Sequence, residues 1–169
     1  MRRAVGLAAS ALLVAGFGCM GDNSLGGSMS SVFPLDVSSV AILRNEQAFQ
    51  INYYNNNGVG IDLVARVTVS LDGWNFTPGN DYPLQGEDDA GGQRTSVLHL
   101  ASDSPPEPLA DVSLGDLQLN SGGNIGEGTQ GNFSMSFVND GGFGGGFTLL
   151  GNFSGVTQDA GYGDGTWPQ

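Results

Sequence analysis

From Ile61 to Leu71 the chain alternates without a break. Ile61, Leu63, Ala65, Val67, Val69 and Leu71 share one parity, and Asp62, Val64, Arg66, Thr68 and Ser70 share the other. Successive side chains of a strand point to opposite faces, so this stretch predicts a strand with one face wholly apolar. Such a face must be covered by another element, and after residue 24 the chain shows no helical period. The cover must therefore come from other strands.

Those strands are readable in order. Val40-Ala41-Ile42-Leu43 is a short apolar run, and Phe49, Ile51 and Tyr53 alternate with Gln50, Asn52 and Tyr54. The Asn57-Gly58 pair supplies the positive φ of a tight hairpin turn between them and the 61–71 strand. Ser96 to Leu100 reads as a further strand, and the proline-rich 102–108 stretch after it reads as a surface connection that does not pair. Val112 and Leu114 fall on one parity and Leu117 and Leu119 on the other, which places a β-bulge at Gly115-Asp116. Two last strands carry Phe133, Met135 and Phe137, then Phe147, Leu149 and Phe153. Each contains Gly-Asn-Phe-Ser, at 131–134 and 151–154, as if two strands met the same packing requirement. Twenty-nine glycines distributed among these apolar runs fit short strands and tight turns. The expected fold is all-β, a single antiparallel β-sandwich of about seven strands over residues 32–158, with a small β-barrel as the second choice.

The first residues form a separate unit. Met1-Arg2-Arg3 is basic, Ala4 to Phe17 is apolar except for Ser10, and small residues lead to Cys19, the single cysteine. This order is that of a helical secretory signal peptide, here residues 1–18. The run is shorter than the ~20 residues that a membrane span needs. With Gly18 before Cys19, the segment resembles a bacterial lipoprotein precursor. The resemblance implies lipidation (acylation) at Cys19, anchorage to the membrane and a place in the bacterial cell envelope, at the outer membrane. Phe17 and Gly16 depart from the usual lipobox. A plain secretory signal, with a secreted or periplasmic product, is the alternative. Residues 19–31, small and polar, are expected to be a flexible tether, and residues 159–169 a Gly-rich tail.

The formal net charge is −12, with 17 acids and no lysine. Phosphate backbones repel such a chain, so no nucleic-acid partner is expected. A single cysteine forbids an internal disulfide. Catalytic chemistry is sparsely supplied. His99 is the only histidine, it lies in a strand, and no G-x-S-x-G elbow accompanies it. Lack of lysine removes Schiff-base chemistry and the P-loop.

Two loop features remain. Glu87, Asp88 and Asp89 are flanked by glycines and are the candidates for calcium, although consecutive acids cannot all point at one ion and the competing reading is a solvated loop. Trp74, Phe76 and Tyr82 sit among Asp72, Asn80 and Asp81 in the long 72–92 connection and are the candidates for binding a glycan. Otherwise these aromatics cap an end of the fold. The expectation is a lipid-anchored acidic module that binds a protein or glycan partner or serves a structural role. A secreted carbohydrate-binding module is the alternative, and a small β-sandwich hydrolase comes third.

Overall fold

The computed structural model of the chain describes residues 23–74 and 76–160. The expected leader, Cys19 and most of the expected tail lie outside the described residues. The fold is all-β. Its strands are β1 (Ser24–Gly26), β2 (Ser39–Arg44), β3 (Ala48–Asn56), β4 (Ile61–Ser70), β5 (Asp81–Pro83), β6 (Thr95–Leu100), β7 (Glu107–Pro108), β8 (Val112–Ser121), β9 (Gly128–Phe137) and β10 (Thr148–Asp159), with one 3-10 turn at Ser28–Ser31.

All ten strands belong to one sheet, ordered β5-β8-β9-β10-β2-β3-β4-β6-β7, with β1 added to β10. The join is made by β10. Thr148 to Val156 pair antiparallel with β9, and Leu150 to Asn152 also with β1, while the end, Thr157 to Asp159, runs parallel to Ile42 to Arg44 of β2. The purely antiparallel sandwich is thereby corrected: the sheet is mixed and continuous, and it curls into a half-barrel. The inner faces of the two halves meet. Tyr53 of β3 lies edge-on to Phe133 of β9, centroids 6.1 Å apart, and Phe49 of β3 lies 6.2 Å from Phe153 of β10. Burial of these large aromatics supplies much of the hydrophobic stabilisation, at about 25 cal/mol per Å² of apolar surface.

The six-residue alternation of β4 divides in two. Ala65, Val67, Val69 and Leu71 lie in the core as expected, but the register slips so that Tyr53 pairs with Ala65 and Tyr54 with Leu63. Val64 is the extra residue of a β-bulge. It joins the core cluster, while Leu63 stays buried at 5% exposure but outside that cluster, and Ile61 is 66% exposed. The outer face of β3 is also covered: Gln50 and Asn52 are buried and joined as Thr68–Gln50–Asn52–Arg66 by hydrogen bonds of 3.1, 3.2 and 3.2 Å.

Three further expectations are corrected. The register of β8 shifts between Val112 and Leu114, and not at Gly115-Asp116, so Leu114 points outward. Gly115 faces inward, where a Cβ would come within 2.6 Å of the Ser134 carbonyl oxygen and 2.9 Å of Met135 Cβ. Glu107-Pro108 does pair, with His99 and Leu98 of β6, as an outermost edge strand where a proline without N–H is tolerated. Finally, residues 24–31 are not a tether. Ser24 to Gly26 pair with Asn152 to Leu150, and Met29 is fully buried in the core. Backbone hydrogen bonds, the buried Met29 and Leu25 packed against the core hold a stretch whose remaining side chains are small.

Candidate functional site

The 71–95 segment contains both groups of candidate residues, and its conformation is fixed by one ion pair. After β4 the chain turns through Asp72 and Gly73, both at positive φ (45° and 70°), a conformation that Asp tolerates better than most residues. Asp72 Oδ1 accepts hydrogen bonds from the Ser70 hydroxyl (3.0 Å) and the Asp89 backbone N–H (3.1 Å). Its Oδ2 lies 3.3 Å from Arg94 Nη2. Burial works to raise the Asp72 carboxyl. The hydrogen bonds from Asp89 and Ser70 and the Arg94 charge outweigh it and hold the group below the ordinary carboxylate value.

Arg94 ties the segment together. Its guanidinium carbon lies 4.4 Å from the centroid of the Trp74 ring, and Nη2 also donates to the Glu87 carbonyl at 3.0 Å. Its backbone links Ser70 to Gly86. Sequence reasoning passed over this residue. Its signal was a lone arginine after an acidic loop in a chain without lysine.

The aromatic candidates separate. Phe76 is 2% exposed and stacks on Tyr82 at 4.3 Å with 5° between planes, and its other neighbour is Phe49 at 5.3 Å. Tyr82 is 6% exposed, and its hydroxyl bonds to the Thr77 backbone. Phe76 and Tyr82 therefore close one end of the core, and Phe76 has no free face for a sugar. Trp74 is half-buried, tilted against Tyr82 at 5.8 Å and covered by Arg94. With Asn80, Asp81, Tyr82 and Pro83 it lines an open depression of about 610 Å³.

The acidic candidates do not converge. Asp88 Oδ1 accepts the backbone N–H groups of Ala90 (3.0 Å) and Gly92 (2.8 Å), so its carboxylate closes its own loop. Glu87 and Asp89 are exposed, and Glu87 bridges to Gln93. Among the described residues no group of three His, Cys, Asp or Glu side chains is placed to hold a metal ion.

His99 serves the fold. Its Nδ1 is 2.9 Å from the carbonyl oxygen of Val64, the bulged residue of β4, and its ring stacks on Phe33 at 4.1 Å. A bulge leaves backbone groups off the ladder, and the imidazole satisfies one of them. No protein-family model matches this chain, and neither a curated protein nor a solved structure does.

Proposed function

We propose that the chain is exported, anchored to a membrane of the bacterial cell envelope through a lipid on Cys19, and acts as a binding module rather than a catalyst. The observation that carries this reading is the position of the first described strand. The first strand starts at Ser24, five residues after the lipobox-like cysteine, and is joined to β10 at once. The intervening chain reaches at most about 17 Å when extended, so the anchored domain rests against the headgroups. With the anchor holding it there, its negative charge keeps it off anionic lipid elsewhere on its surface.

Two or more acyl chains hold a protein firmly, at about 0.8 kcal/mol per buried methylene, whereas one holds marginally. Labelled palmitate should enter the wild-type chain, which should sediment with membranes. Cys19→Ser should take up no label and should accumulate as uncut precursor or appear in the soluble fraction. Identical fractionation without label in either would replace the anchor with plain secretion.

One observation favours a second reading, the carbohydrate-binding module. The depression around Trp74 combines a partly exposed indole with Asn80 and Asp81, an aromatic face beside amide and carboxylate groups. Trp74→Ala should abolish retention on immobilised neutral polysaccharide, and an unretained wild-type chain would end this reading.

A further inference from the structure

The outward face of β5, β8, β9, β10 and β1 is built of amides and hydroxyls. One row of paired residues crosses all five strands: Asp81, Gln118, Asn132, Asn152 and Ser24. Neighbouring strands lie about 4.8 Å apart, so the row is about 19 Å long. Its two ends are tied. Gln118 Nε2 donates to Asp81 Oδ1 at 3.0 Å, and Asn152 Nδ2 donates to Ser24 Oγ at 3.2 Å. The Asn132 amide between them makes no hydrogen bond to a described residue. The face is also neutral. In a chain with 17 acids, β9 contains no charged residue and β10 contains none before Asp159.

Beside the row opens a cavity of about 330 Å³, lined by Ser24, Asn120, Gln130, Asn152 and Ser154 together with the Gly131–Phe153 pair. Ser154 shares the outward parity of Asn152 and pairs with Gln130 of β9, yet it is only 6% exposed. Its backbone N–H donates to Asn23 Oδ1 at 2.6 Å. Its hydroxyl makes no hydrogen bond to a described residue, and unlike that of Thr95 it is not sealed from water. Native structures rarely keep a polar group so deeply set without a partner. The Asn120 and Gln130 side chains around it are also unbonded among the described residues. Each of those amides offers two donors and an acceptor.

We propose that this face binds an extended, uncharged polysaccharide. One sugar ring sits in the cavity with its hydroxyls on Ser154, Gln130 and Asn120, and the chain follows the amide row to the Trp74 depression, which Asp81 also lines. The proposal deepens the carbohydrate-binding reading and rests on it. Sugar hydroxyls donate and accept together, as the amides do, so the two surfaces satisfy each other. An anionic ligand would find no cation on β9 or β10, and an apolar one would leave the amides unpaired at a cost. The cavity stands at the small end of the range for ligand clefts, which suits a single ring. The length of the row calls for several rings joined in an extended chain.

The test is titration of the purified full chain with cellohexaose and with β-1,4-mannohexaose, followed by calorimetry and by the side-chain amide NMR signals of Asn120, Gln130 and Asn132. Saturable binding of at least one hexaose is expected, and it should be indifferent to salt because no charges meet. Hexagalacturonate, a chain of similar length with a carboxylate on each ring, should not bind. Ser154→Ala should weaken binding about fivefold, the loss of roughly one hydrogen bond. It should leave the melting temperature of the unliganded protein unchanged, since the fold makes no bond to that hydroxyl. Gln130→Ala with Asn132→Ala should weaken binding about twentyfold, the loss of roughly two bonds.

Two failures are distinguishable. If Trp74→Ala abolishes binding while Ser154→Ala and the double amide variant leave it unchanged, the sugar sits in the Trp74 depression alone. The amide face is then wrong and the carbohydrate-binding reading stands. Absence of saturable binding for both hexaoses overturns the proposal, and a wild-type chain that is also unretained on immobilised neutral polysaccharide ends both. Tighter binding of hexagalacturonate, or a lower melting temperature for unliganded Ser154→Ala, would overturn it too. So would a dimer in sedimentation that the double amide variant dissolves, because the face would then be covered by a second copy of the chain.

Discussion

The two Gly-Asn-Phe-Ser copies face each other across β9 and β10 in opposite directions, so that Gly151 pairs with Phe133 and Phe153 with Gly131. Each phenyl ring occupies the space that the opposite glycine leaves. A Cβ on Gly151 would collide with Phe133 Cε1 and Cζ and would stand 2.9 Å from Tyr53 Oη. A Cβ on Gly131 would collide with Phe153 Cζ and lie 2.5 Å from the Gln118 carbonyl oxygen. Both rings are buried, at 3% and 2% exposure, so neither can swing into solvent. Overpacking of this kind costs about 1–3 kcal/mol. Replacing a strand glycine by alanine returns about 0.5–1 kcal/mol of chain entropy. Gly151→Ala should therefore destabilise by roughly 1–2 kcal/mol net, and Gly131→Ala by more, because its second obstacle is backbone. In a chain of this size each kcal/mol lowers the melting temperature by about 2–4 °C. Gly128→Ala, in the same strand β9 with nothing within 4 Å, is the control and should be neutral or mildly stabilising. Phe133→Leu in the Gly151→Ala background should recover part of the loss, giving a favourable coupling in a double-mutant cycle of denaturant midpoints. If Gly151→Ala behaved like Gly128→Ala, or if the cycle showed no coupling, the reciprocal packing would be wrong.

Other outcomes follow from the bulge and from the titrating groups. Val64→Asp should be severely destabilising in urea titrations and Ile61→Asp mild, because the bulge puts the first side chain in the core and the second in water; equal effects would refute that register. The lowered Asp72 carboxyl contributes stability that is present above the ordinary carboxylate value and is lost as pH falls through its native value, so Asp72→Asn should flatten the acid limb of a stability–pH curve. Burial pushes the Tyr53 phenol upward, so the native state keeps its proton and stability should fall as pH rises above about 10, the value in the unfolded chain. Tyr53→Phe should remove that alkaline slope while costing about 0.5–1.5 kcal/mol at neutral pH for the lost bond to the Asn152 carbonyl.

The strands were legible because side-chain parity records which face is buried: β9, the start of β10 and β4 from Ala65 onward follow that record, while both faces of β3 are buried. What parity cannot show is where a strand gains a residue. Leu63 and Val64 are both apolar and both buried, so nothing in their chemistry says which of them joins the main core cluster, and the choice comes from pairing with Tyr53 and Tyr54. Gly115 misled in the opposite way, since a glycine within a strand marks either a bulge or a close approach, and here the approach of Ser134 and Met135 decides. Strand β1 was hidden because its pairing with β10 is made by backbone groups that every residue carries. In the 71–95 segment Trp74, Phe76 and Tyr82 were recognisable as a group, but residue type alone does not tell an aromatic that binds from one that seals.

The feature furthest from the sequence is the one that gives the fold its form. Parallel pairing of β10 with β2 joins Thr157 to Ile42 across most of the domain, and no local pattern encodes such a contact. It is also what turns two antiparallel halves into one curled sheet. In a closed barrel every strand has two neighbours, and in a sandwich the halves have no shared strand. The half-barrel instead leaves β5 and β7 as its two ends, each very short and each carrying a proline, Pro83 and Pro108, which discourages a further strand from adding there. Because those ends do not meet, a seam remains between β6 and β8. That seam is thus a consequence of closing the sheet at β10 and nowhere else.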